Sequence, residues 1–79
     1  MFINKTPDGN NNICGKKIAA RRIAMGISQR ELADRLQLIG FDVDKNAIQR
    51  IECGKRFVTD IELKYISTAV DLTYSELLD

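Results

Sequence analysis

From Cys14 onward, apolar residues recur every three or four positions, and glycines, serines, threonines and aspartates stand where helices begin and end. The first stretch predicts a helix from about Cys14 to Met25, with Ile18 and Arg22 one turn apart. Gly26 follows at the position that favours a left-handed residue. Ser28-Gln29-Arg30-Glu31 then has the form of a capping box, in which the serine hydroxyl accepts from the backbone three residues on and the glutamate reaches back. Leu32, Ala33 and Leu36 give the second helix its apolar face; it can run to about Ile39, where Gly40 stops it. Phe41-Asp42-Val43 reads as a connector. Asp44 is a good N-cap for a third helix from Lys45 to about Cys53, whose inward face is Ile48 and Ile51 and whose stop is Gly54. Thr59-Asp60-Ile61-Glu62 is a second capping box and opens a helix to about Val70, with Ile61, Leu63, Ile66 and Val70 available to the core. Thr73-Tyr74-Ser75-Glu76 is a third, opening a short helix that contains Leu77 and Leu78. Strand-like alternation is missing, so the pattern predicts an all-α fold of five short helices.

Residues 1–13 break this pattern. Pro7-Asp8-Gly9 is a turn signal and Asn10, Asn11 and Asn12 follow it, which predicts a loosely ordered polar arm able to tuck onto the core through Phe2 or Ile3. The expected organisation is an arm over 1–13 and a helical domain over 14–79.

Composition narrows the function classes. A chain of 79 residues makes one small domain, and 44% apolar with 29% charged residues argues against disorder. No apolar run approaches the ~18 residues of a membrane span, and no signal-peptide pattern opens the chain. A cytoplasmic location without membrane contact is the expectation. With only Cys14 and Cys53, and no histidine, free reduced thiols are expected, with no metal site and no cofactor. No serine or cysteine has an evident activating partner, so no enzyme activity is expected.

The net charge is only +1, but it is unevenly spread. Between Cys14 and Arg56, ten lysines and arginines stand against Glu31, Asp34, Asp42, Asp44 and Glu52. Beyond Arg56, Lys64 alone stands against Asp60, Glu62, Asp71, Glu76 and Asp79. A basic front and an acidic back suit a module that docks one face on an anion.

At Ile27-Ser28-Gln29-Arg30-Glu31-Leu32-Ala33, and again from Ala47-Ile48-Gln49-Arg50-Ile51-Glu52 through Cys53-Gly54-Lys55-Arg56, the chain resembles the phage Cro/CI-type (XRE-like) helix-turn-helix regulators. The resemblance extends from about Gly15 to Leu78. It implies a compact five-helix, lambda-repressor-like domain that binds double-stranded DNA as a transcriptional regulator, with repression the expected sense. In that family the second helix crosses the DNA backbone and the third enters the major groove. Lys45, Asn46, Gln49 and Arg50 then correspond to base-contacting positions. Their chemistry suits the role, since Arg and Lys donate to guanine O6 and N7 while Asn and Gln pair with adenine N6 and N7. Gln29, Lys55 and Arg56 correspond to backbone-contacting positions. Arg22 and Glu52 match a pair that family members bury between the first and third helices. Each assignment has a plainer counterpart: Lys45 and Asn46 as solvated first-turn residues, Arg50 as a surface pairing residue, Gln29 as an ordinary polar residue after a cap.

The chain departs from the family in the longer connection between its second and third helices, where Gln37 to Val43 intervene. Either Phe41 and Val43 plug the core and leave the groove geometry intact, or the extra length changes how the third helix is presented. A homodimer, at least on DNA, is expected, with Tyr74, Leu77 and Leu78 of the last helix as its surface. No small-molecule ligand is expected, since no room for a ligand domain follows Leu78. The rival reading is a protein–protein interaction module of the same fold, acting on another regulator; the acidic C-terminal third and the low net charge favour it.

Overall fold

The computed structural model describes residues 5–79. Five α-helices follow in order: α1 (Gly15–Ala24), α2 (Gln29–Leu38), α3 (Lys45–Glu52), α4 (Asp60–Val70) and α5 (Tyr74–Leu78), with no strand among the described residues. The starts of α2 to α5 follow local chemistry. Ser28, Thr59 and Thr73 each accept from the backbone amide three residues on, and Glu31, Glu62 and Glu76 each accept from the cap residue's own amide. Asp44 Oδ1 accepts from the Ala47 amide at 2.9 Å to open α3. Their ends follow backbone conformation: Gly26, Gly40 and Gly54 lie just beyond α1, α2 and α3 with positive φ. After α4 the left-handed position falls to Asp71, φ 53°, one of the few residue types that tolerate it.

The helices enclose one core. Ile18 of α1, Leu32 and Leu36 of α2, Ile48 and Ile51 of α3, Ile66 and Val70 of α4 and Leu77 of α5 are buried together. The core of α3 faces α1 and α2, and α4 packs on α1, α2 and α5. Ile61, expected in this core, is instead 66% exposed. The inward line of α4 is Leu63, Ile66 and Val70, and a residue two positions before Leu63 falls on the other side of a 3.6-residue helix. Leu77, expected on an open surface of the last helix, is fully buried, whereas Tyr74 and Leu78 are exposed.

The long connection closes onto the core. Phe41 and Val43 are buried, and Phe41 stacks on Tyr65 of α4 with ring centroids 5.8 Å apart. Gln37 Nε2 donates to the Val43 carbonyl at 2.7 Å, which ties the end of the connector to the end of α2. Phe41 and Val43 therefore plug the core, while Leu38, Ile39, Gly40 and Asp42 beside them stay exposed.

The polar arm is more ordered over its described part than its composition predicts. Thr6 to Asn10 form a tight turn, closed by Thr6 N to Asn10 O (2.7 Å) and Gly9 N to Thr6 O (2.8 Å). Asn11 and Asn12 then bind the backbone at the exit of α3. Helix ends leave carbonyls without partners, and a carboxamide N–H is a fitting donor for them. Phe2 and Ile3 lie outside the described residues.

At this junction the start of α1 abuts the end of α3. A Cβ at Gly15 would sit 2.2 Å from the Ile51 carbonyl oxygen. Gly54 is constrained twice: its φ is +82°, and a Cβ there would meet the Asn10 side chain at 2.6 Å. Among the described residues, no helix is long and apolar enough to cross a membrane.

Candidate nucleic-acid interface

The eight residues of α3 divide into two faces. Ile48 and Ile51 are buried and Ala47 is half-buried, while Lys45, Asn46, Gln49 and Arg50 are exposed. Lys45 and Gln49, and Asn46 and Arg50, are each four apart, so the four side chains share one side of the helix. Among the described residues none of the four side chains enters a hydrogen bond or an ion pair. The acidic group nearest in sequence, Asp44, is turned onto the amide of Ala47, where it complements the positive end of the helix dipole.

The opposite end of α3 is held rigidly. Arg22 of α1 grips Glu52 with two parallel bonds, Nε to Oε2 at 2.7 Å and Nη2 to Oε1 at 3.1 Å. The two side chains are only 14% and 8% exposed. Arg22 Nη1 also donates to the Ile27 carbonyl at 3.0 Å. The hydrogen bonds that Glu52 accepts from Arg22 raise the Arg22 pKa against the opposing effect of burial. Paired in this way, the guanidinium satisfies most of its donors, which a partly buried cation requires.

The residues expected on the DNA backbone divide. Gln29, at the first position of α2, donates its side-chain amide to Glu52 Oε1 at 3.0 Å and joins the same network. Glu52 has acceptor capacity left after binding Arg22, and Gln29 supplies the third donor. Arg56 faces inward as well. Its guanidinium donates to Glu62 at 3.2 and 2.9 Å and to the Phe57 carbonyl at 3.2 Å, and lies 5.8 Å from the Phe41 ring centroid. Burial alone would raise the Glu62 pKa; the hydrogen bonds from Arg56 and from the Thr59 backbone outweigh it and hold the carboxyl below its ordinary range. Lys55 keeps an exposed side chain, while its amide is bound to the Arg50 carbonyl at 2.9 Å.

The structure thus brings Lys45, Asn46, Gln49 and Arg50 together on an open face, leaves Lys55 available just beyond the helix, and engages Gln29 and Arg56 internally. Sequence reasoning missed Asn11 and Asn12, which secure the segment carrying Lys55. Three consecutive asparagines after a turn signal were the visible sign, but their partners lie about forty residues away. Both cysteines are free; Cys14 is buried, which pushes its thiol pKa up, and Cys53 is exposed. No cluster of potential metal ligands occurs among the described residues. Compared with known protein families, with characterised proteins and with solved structures, the chain matches none.

Proposed function

We propose that this chain is a sequence-specific DNA-binding transcriptional regulator with a lambda-repressor-like helix-turn-helix domain, in which α3 lies in the major groove. The observation that carries this reading is the outer face of α3, where four polar side chains with base-pairing chemistry stand exposed and unpaired among the described residues. Exposed polar faces are common on helices. Here the face belongs to a helix capped at one end by Asp44 and clamped at the other by Arg22 and Gln29. Base readout needs that rigidity, because hydrogen bonds to base edges are short and directional. The resemblance of the α2 and α3 sequences to Cro/CI-type regulators supports the same assignment. The buried connector supports it too, since Phe41 and Val43 turn into the core while Lys45 and Asn46 at the start of α3 stay exposed. The proposed partners are double-stranded DNA and a second copy of the chain.

The test is a random-oligonucleotide selection with the wild type and with Arg50→Ala and Asn46→Ala. The wild type should enrich one motif. Arg50→Ala should weaken binding to the best site by about 1–3 kcal/mol and relax the preference at one base pair. Asn46→Ala should relax a neighbouring position, and both variants should unfold at the wild-type temperature. Wild-type preference retained at every position in both variants would remove α3 as the reading element. A wild type that enriches no motif would favour the rival reading, a module that binds another regulator, to which Asp42 and the acidic residues beyond Arg56 lend support.

A further inference from the structure

The polar arm makes several hydrogen bonds to the exit of α3. The Asn11 amide donates to the Gly54 carbonyl at 2.7 Å. Asn11 Nδ2 donates to the Lys55 carbonyl at 2.8 Å. Asn12 Nδ2 bridges the Ile51 and Arg56 carbonyls at 3.0 and 2.7 Å, while its Oδ1 accepts from the Gly15 amide at 2.9 Å. Asn12 therefore ties the start of α1 to the end of α3 and has an evident structural use.

Asn11 is different. Its side chain reaches one group only, the peptide carbonyl of Lys55, and its own Oδ1 is buried with no partner among the described residues. The bond it does make has a specific consequence. The Lys55 amide is held by the Arg50 carbonyl of α3 at 2.9 Å, and the peptide that follows is held on both sides, its Arg56 amide by the Arg50 carbonyl at 3.2 Å and its Lys55 carbonyl by Asn11. The ammonium group retains only the freedom of its own side chain.

We infer that Asn11 is a positioning residue for DNA binding: it fixes the backbone of Lys55 so that its ammonium meets a phosphate in register with α3. The inference rests on the DNA-binding reading above. A phosphate contact carries no base information itself, but it sets the register in which a reading helix lies on the duplex. Loosening Lys55 should therefore reduce the contribution of one phosphate contact while leaving the fold in place.

The experiment measures affinity for the selected duplex against salt concentration, for the wild type, Asn11→Ala, Lys55→Ala and the double variant. Lys55→Ala should lower the log–log slope by about 0.9, the value of one phosphate on duplex DNA. Asn11→Ala should lower it by part of that amount, and the double variant should match Lys55→Ala alone. Asn11→Gln, which keeps the carboxamide but displaces it by one methylene, serves as a second variant should Asn11→Ala unfold, and should show the same loss. Thermal unfolding separates this from a purely structural role, which would shift the melting temperature and leave the slope of the folded protein unchanged. A wild-type slope in both Asn11 variants, or an equal further fall in the Lys55→Ala background, overturns the inference while the DNA-binding reading stands. A wild type that binds no duplex overturns both, and shows it before any variant is compared.

Discussion

Glu52 closes α3 and at the same time accepts hydrogen bonds from Arg22 on α1 and Gln29 on α2. One carboxylate thus carries much of the mutual orientation of three helices. With the pair largely withdrawn from water, removing either partner leaves the other charge uncompensated. Arg22→Ala and Glu52→Ala should each destabilise the fold by about 3 kcal/mol. The double variant should lose far less than the sum, because neither charge is then stranded. Urea unfolding of the three variants checks this, and simple additivity would show that the pair contributes little as a pair. Gln29→Ala removes one neutral donor to a charged acceptor and should have a smaller effect.

Among the elements, α4 shows how a local start signal acquires a tertiary task. Thr59 and Glu62 form its capping box, and Glu62 also receives both terminal nitrogens of Arg56 from the turn after α3. The box opens the helix, and the ion pair fixes where the helix stands relative to α3. The lowered pKa of Glu62 gives a sign to the pH dependence. A carboxyl with a lower pKa folded than unfolded stabilises the fold at neutral pH, and that contribution is lost as pH falls through and below the ordinary carboxylate range of about 4.3. Glu62→Gln should flatten the acid limb of a stability–pH profile, measured by chemical denaturation from neutral pH downward. Glu76, whose pKa is lowered by the Thr73 backbone hydrogen bond, stays in place in that variant and should preserve a residual slope. An unchanged acid limb would mean that Arg56 does not hold Glu62 in solution.

At the scale of the molecule, the face formed by α4 and α5 stands out. Ile61, Tyr74 and Leu78 are exposed around a groove that Leu63 floors, and Asp60 and Lys64 of opposite charge flank it. An antiparallel pairing of α4 with that of a second copy, about a two-fold axis between Asp60 and Lys64, would set Asp60 of each copy against Lys64 of the other while covering the apolar residues. Single domains of this size read few base pairs, and pairing doubles the contacts. Sedimentation with the selected duplex should show two chains per site, and Ile61→Asp should reduce this to one without altering the fold. A one-to-one complex of the wild type on an asymmetric site would dismiss the dimer. Leu77, which the sequence places beside Leu78, plays no part in this surface because it fills the core.

Helix starts and stops were legible in the sequence because they depend on residues within four positions of one another. Ser28 with Glu31, Thr59 with Glu62, Thr73 with Glu76, and the glycines after α1, α2 and α3 act through short-range hydrogen bonds and backbone conformation. The two faces of α3 were legible for a similar reason, since Ile48 and Ile51 mark its inward side by period alone. Other features were decided only by the tertiary structure. Whether Arg56 faces outward or pairs with Glu62 depends on where α4 lies relative to the exit of α3. Whether Gln29 is free depends on the third donor that Glu52 accepts. The arm with its three asparagines reads as loosely ordered, because a polar run has no core of its own to bury. The order of Asn11 and Asn12 comes from carbonyls at the end of a helix some forty residues further on, and no local pattern encodes that distance.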